Sequence, residues 1–288
     1  MGGLARRAAF VDSLRATTGR FLLLDGGDFL PRSCERDEPK AVLVWAELHR
    51  LGYDAVSLGE HEIVNWAFCK RMMTETPLPV VSTNLEQLVA GRWVPIGERS
   101  LVVEANGVEI GIVSAIEEDL VTSTVLGANA DSIRVLPPME TLRRAIDELP
   151  SSVEAVVLLA HMSSQTLEQI ASLMPGLVVL GGHMTQDDRM PIEIGGAYVN
   201  RSGPKGAYLA TTRLILSPDG RIEDVGGLSV KLDQSLREDP DVLARIEQAT
   251  GRKAAAPPPP PPVQMPQPER TPEPVEKQAP AAKGSGSH

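Results

Sequence analysis

The sequence predicts an α/β fold of two packed sheets with helices on their outer faces, and three observations predict it. Helical and strand-like segments alternate through the first two-thirds of the chain. Strands dominate the last third, and short apolar runs break repeatedly into loops that carry histidine or aspartate, often beside glycine. In open α/β sheets, loops at the carboxyl ends of the strands are where binding sites form.

The elements follow in order. Leu4 to Thr18 has helical spacing, with Leu4, Ala8, Val11 and Leu14 on one face. Phe21 to Asp25 reads as a buried strand that breaks into Gly26-Gly27-Asp28. A helix over Pro39 to Leu51 has Glu38 and Pro39 in its first turn and Gly52 at its stop. Ala55 to Leu58 is the next strand, ending at a Glu60-His61-Glu62 loop. A helix near Val64 to Met73, a strand at Val80-Val81 and a β-rich region from Trp93 to Ser114 come next, with Asn106-Gly107 as a hairpin turn. Helices at Met139 to Glu148 and Gln165 to Met174 precede strands Ala155 to Leu159 and Leu177 to Leu180, which lead to His161 and His183. Ala197 to Asn200, Leu209 to Leu216 and Val225 to Leu232 read as strands, with Asp219-Gly220 as a turn, and Asp239 to Gln248 as a last helix at the domain edge.

Composition sets the limits. At 288 residues and 42% hydrophobic content the chain can bury a sizeable core. From about Arg252 a proline run, Pro257 to Pro262, opens a stretch too poor in apolar residues to offset chain ordering. The expected organisation is therefore a folded domain over 1–250 and a Pro-rich, disordered or linker-like tail over 251–288 that is free to meet a protein partner. A net charge of −10 argues against nucleic acid as the main partner, while a small anionic substrate remains compatible if a metal supplies local positive charge. Cys34 and Cys69 are expected to be unpaired, inert thiols. No run approaches the roughly 20 apolar residues of a membrane span, and the N-terminus has no signal-peptide core. As written the chain is expected in the cytoplasm; an export signal on a longer precursor would place it in the periplasm or outside the cell.

Three histidines stand in Gly-Glu-His61-Glu, Leu-Ala-His161-Met and Gly-Gly-His183-Met, and Asp28 follows a glycine pair. Read in order with Gly2-Gly3-Leu4-Ala5-Arg6-Arg7-Ala8, Leu22-Leu23-Leu24-Asp25-Gly26-Gly27-Asp28, Gly52 to Glu62, Pro79 to Asn84 and Gly107 to Val113, these landmarks resemble the calcineurin-like metallophosphoesterases, and within them the 5′-nucleotidase branch. The resemblance covers about residues 2–232. It implies a four-layer α-β-β-α sandwich of two mixed sheets flanked by helices, and a two-metal hydrolytic site. The first strand of that fold, with its Asp-x-His, has no counterpart here; a central strand is costly to omit, so a start internal to a longer protein is the expectation.

The resemblance implies a role for each residue. Asp28 matches the carboxylate that bridges the two metals, though a turn-forming aspartate fits the sequence as well. Glu60 stands where the family has asparagine, and with Asp28, His161 and His183 completes a half-site for one divalent ion, zinc, manganese or iron. The other half-site lacks its Asp-x-His, and Thr185 replaces its last histidine. Asp187 and Asp188 read as a solvated loop. His61 matches the catalytic histidine, but Val64 stands where an orienting aspartate belongs, and Glu62 takes no assignable role. His49 reads as a surface residue of a helix, and Trp45, Trp66 and Trp93 as core or rim. Two functions follow: a metal-dependent phosphoesterase acting on a small anionic ester, or a non-catalytic metal-binding or assembly module tethered by its tail.

Overall fold

Small side chains let the first helix pack closely. Helix α1 (Leu4–Thr18) buries Ala5, Ala8 and Val11, and strand β1 (Leu24–Asp25) follows it. Helix α2 (Glu38–Arg50), with Pro39 in its first turn, leads to β2 (Ala55–Val56). The computed structural model describes residues 3–183, 187–217 and 220–251. Thr185, Asp219 and the Pro-rich tail, with the readings made for them, lie outside the described residues.

Two short helices, α3 (Glu60–Val64) and α4 (Trp66–Glu75), come next and are separated at Asn65. The expected loop at Glu60-His61-Glu62 is thus corrected to the first turn of a helix, which puts three consecutive side chains on different faces. Strands β3 (Leu85–Val89), β4 (Arg92–Pro95), β5 (Ser100–Ala105) and β6 (Val108–Ile116) follow. The expected β-rich region is therefore real, with Asn106-Gly107 as its turn, both at positive φ. A one-turn helix α5 (Ser123–Leu126) and strand β7 (Ile133–Val135) lead to α6 (Pro138–Asp147), β8 (Ala155–His161), α7 (Ser164–Leu173) and β9 (Leu177–Gly182). Then come β10 (Ile192–Ile194), β11 (Ala197–Arg201), β12 (Tyr208–Leu216), β13 (Ile222–Lys231) and α8 (Pro240–Thr250). Asp239 caps α8 by accepting from the Val242 N–H at 2.8 Å, and Gly251 ends it at φ +66°.

The main sheet has six strands in the order β10-β11-β9-β8-β6-β5. Its inner strands are parallel and its two edges antiparallel, so it is mixed. Register aligns Ile116 with His161, His161 with Gly182, and Gly181 with Arg201, so these carboxyl ends form one rim. One face of the sheet packs on α6 and α7 through Leu142, Leu158, Leu167 and Val179. The other presents Ile112, Leu159 and Val178 to Ala55 and Val81, with Leu22, Leu24, Leu214 and Ile222 partly buried against them. Beyond that second layer, Ala8, Val11, Trp45 and Trp66 pack the outer helices.

The second layer is thinner than the sequence suggests. The expected strand Phe21 to Asp25 reduces to Leu24–Asp25, half-buried and paired only with β2. Among the described residues no strand pairs along its other edge, and a ladder supported on one side stays short. Val80 and Val81 form single bridges, to Val56 and Glu98, in place of a strand. Strand β3 was invisible to alternation because Leu88 and Val89 are exposed; pairing with β4 and β7 holds it.

Candidate metal centre

Four side chains converge at the rim. Asp28, Glu60, His161 and His183 each offer one ligand atom, and these atoms all lie within 4.8 Å of one another. Two of the four sit in left-handed backbone, Asp28 at φ +59° and His183 at φ +54°, a region uncommon for non-glycine residues though less so for aspartate and histidine.

His161 is fully buried at the end of β8. Its Nδ1 lies 2.8 Å from the Gly26 carbonyl, an acceptor only, so Nδ1 carries a proton and Nε2 faces the other ligands. Nε2 stands 2.7 Å from Glu60 Oε2 and 3.7 Å from Asp28 Oδ1. Glu60 also reaches His183, with Oε1 3.1 Å from Nδ1. Burial works against ionisation of Glu60, but the hydrogen bond to His161 and the nearby imidazoles hold its carboxyl at about 2. Burial likewise opposes the charged form of His161, but its bond to Glu60 and the neighbouring Asp28 win and raise it.

The close approach depends on glycine. A Cβ on Gly59 would overlap Asp28 Oδ1 and come within 2.6 Å of His161 Cε1, and one on Gly27, at φ +93°, would lie 2.7 Å from Gly59 N.

Glu62, left without a role by the sequence, is the organiser beneath. It is fully buried, and its carboxylate accepts backbone N–H bonds from Asp28 at 2.8 Å, Leu30 at 2.9 Å and Gly59 at 2.8 Å. Burial and the nearby Asp28 push this carboxyl up to about 7 against the pull of those bonds. Its signal in the sequence is spacing alone, an acid three residues after the Gly59 that opens α3. Asn65 completes the support: its Nδ2 donates to the carbonyls of Pro31, Arg32 and His61, and its Oδ1 accepts from Cys34 N–H.

His61 is partly exposed beside the cluster, its Nε2 3.8 Å from Asp28 Oδ2, its Nδ1 2.9 Å from the Leu30 carbonyl and its backbone N–H bonded to Asp28 Oδ1 at 2.9 Å. Val64 is 43% exposed.

Asp187 and Asp188 are not a solvated loop. Asp188 Oδ2 accepts from Arg201 N at 3.0 Å and Nε at 2.9 Å, its own N–H donates to Arg201 O, and Ser229 Oγ donates to Asp187 Oδ1. These bonds tie Asp188 to β11 and Asp187 to β13. His49 is exposed as expected, Trp45 and Trp66 are core, and Trp93 lies at a rim under Arg134, 4.4 Å from its ring. Both cysteines are free and buried, and burial pushes the Cys34 thiol up to about 12.

No family model matches the chain. The chain is 26% identical to a 5′-nucleotidase of Diplobatis ommata over 85% of its own length and 46% of that protein. It is 25% identical to the human 5′-nucleotidase over 86% of its length and 47% of the relative. Among solved structures it superposes on the sulfate thiohydrolase SoxB of Thermus thermophilus with a TM-score of 0.78, at 19% identity over 87% of this chain and 47% of the other. It superposes on the calcineurin-like phosphoesterase YfkN of Bacillus subtilis with a TM-score of 0.71, at 18% identity over 86% and 88%. The chain has the calcineurin-like metallophosphoesterase fold, and its sequence relatives are 5′-nucleotidases. It spans about half the length of the curated relatives it matches. The cluster lies at the rim where a site in an α/β sheet belongs. No helix among the described residues is long and apolar enough to cross a membrane.

The depressed carboxyl and the raised imidazole set a pH dependence. Glu60 loses its contribution to stability as pH falls from its ordinary 4.5 through about 2, when it takes a proton and releases both histidines. His161, whose folded value is raised, loses its contribution as pH rises through that value. The metal-free protein is therefore expected to resist heat best between these limits, with the optimum flattened in Glu60→Gln; thermal melts across pH check this.

Proposed function

We propose that the domain is a metal-dependent phosphoesterase that holds one divalent ion through Asp28, Glu60, His161 and His183. The observation that carries this reading is the convergence of two carboxylates and two imidazoles from four separate segments, with His161 already aimed by Gly26. The donor set fits zinc, manganese or iron, all of which accept imidazole or carboxylate. An ion held there supplies positive charge toward an anionic ester and lowers the pKa of water.

The residues themselves do the rest. Two carboxylates balance the charge of a divalent ion, leaving the imidazoles neutral. His61, on the exposed side of Asp28, is placed to share a proton with the leaving oxygen of a small phosphomonoester or related ester through Nε2. The 5′-nucleotidase relatives support the ester class.

A second reading, a metal-binding or assembly module without turnover whose Pro-rich tail meets a protein partner, is favoured by two particular features. Val64 gives His61 no carboxylate, and Asp187 and Asp188 are committed to Ser229 and Arg201 in place of a second ion. Elemental mass spectrometry of the purified chain is expected to give about one ion per chain, lost in Asp28→Ala. Turnover of p-nitrophenyl phosphate that follows the ion supports the enzyme; a bound ion with no turnover of phosphate or sulfate esters supports the metal-binding module, and no ion sinks the enzyme and leaves the assembly module.

A further inference from the structure

We infer that Glu62 is a positioning residue that sets the tautomer of His61 through the Leu30 carbonyl, in place of a carboxylate partner for the ring. Three facts lead there. The only protein group bonded to His61 Nδ1 among the described residues is the Leu30 carbonyl, at 2.9 Å. A carbonyl accepts and never donates, so that bond exists only if Nδ1 carries hydrogen, and the proton that His61 exchanges is then the one on Nε2. The Leu30 peptide that presents the carbonyl is itself fixed through its N–H, which donates to Glu62 Oε1.

Glu62 does more than hold one peptide. Its second oxygen, Oε2, takes the N–H of Asp28 and the N–H of Gly59, the residue before Glu60. One carboxylate thus fixes the position of a ligand, the start of the helix that carries Glu60 and His61, and the peptide that orients the His61 ring. Glu62 is buried and touches no solvent-facing part of the site, so it acts through these peptides and is not itself a catalytic residue. The device explains how His61 is held although Val64, largely exposed, offers it nothing.

This deepens the proposed role of His61 and rests on it for its consequence, but its test reads the ring and not turnover. Nitrogen-15 spectra of histidine-labelled protein at alkaline pH, with His61 assigned from a His61→Asn variant, are expected to show Nδ1–H and bare Nε2 in the native chain. Glu62→Gln keeps the size but turns one acceptor into a donor facing backbone N–H groups, and is expected to convert His61 to mixed tautomers. His161, oriented by Gly26, is expected to keep Nδ1–H and report that the fold survives. Glu62→Asp, which keeps the charge but withdraws it by one methylene, is expected to give an intermediate mixture and serves if the glutamine variant does not fold. Nε2–H on His61 in the native chain, or an unchanged tautomer in a folded Glu62 variant, overturns the inference. The predicted tautomer in a chain without turnover leaves it standing and counts only against the enzyme reading.

Discussion

Gly59→Ala is expected to weaken metal binding sharply while the chain still folds. Gly59 has an extended backbone, φ −107° and ψ −171°, which alanine adopts freely, so the effect comes from space alone. The added methyl would overlap Asp28 Oδ1 and lie 2.6 Å from His161 Cε1 and 2.8 Å from His161 Nε2. Neither neighbour can retreat cheaply. Asp28 is fastened by its own N–H to Glu62 and by its Oδ1 to the His61 N–H, and the His161 ring is buried and bonded to Gly26. Overpacking of this kind costs about 1–3 kcal/mol of stability. Because both displaced groups are proposed ligands, metal affinity is expected to fall as well, by about 10–100-fold, by analogy with disturbed outer shells. Titration with zinc or manganese checks the affinity and a thermal melt the fold; wild-type affinity in the variant would show that the ligands do not need this approach.

Arg201→Met is expected to give the largest loss of stability outside the cluster. The Arg201 side chain is 8% exposed and the Asp188 side chain 13%, so the methionine variant leaves a nearly buried carboxylate with one backbone bond and no counter-charge. Removing one partner of a buried pair costs about 3 kcal/mol or more. For a domain of this size that lowers the melting temperature by about 6–12 °C. The double variant Arg201→Met with Asp188→Leu removes both charges and is expected to recover much of the loss. Arg201 also pairs with Gly181, two residues before His183, while its side chain holds Asp188 five residues after it. Weaker metal binding should therefore accompany the lower melting temperature in the single variant.

The sequence revealed those parts of the molecule that rest on local chemistry or on ordered motifs. Helices α2, α6 and α7 have clear periodicity and start or stop signals, and strands β8 and β9 are mostly buried and open with apolar runs. His161 and His183 were legible because they sit where these strands end, and Asp28 and Glu60 because they stand in ordered motifs. What stayed hidden depends on tertiary contact. Glu62 looks like any surface acid of a helical turn until the N–H groups of Asp28 and Leu30, from another stretch, join that of Gly59 at the start of its own helix. Asp188 and Arg201 lie thirteen residues apart, and nothing in either neighbourhood announces the pair. Strand Phe21 to Asp25 shows the opposite failure: its apolar run predicts burial on both faces, whereas a ladder partner on one side alone leaves it short and half-buried.

The four donors belong to stretches of chain that begin at Asp28 and end at His183, and they meet only in the folded state. An ion seated among them acts as a cross-link that the unfolded chain cannot form, tying the loop after β1 to α3, to the end of β8 and to the segment after β9. Its binding energy is then added to the stability of the domain, in proportion to the logarithm of free ion over dissociation constant. Chelation would loosen the native state as well as empty the site.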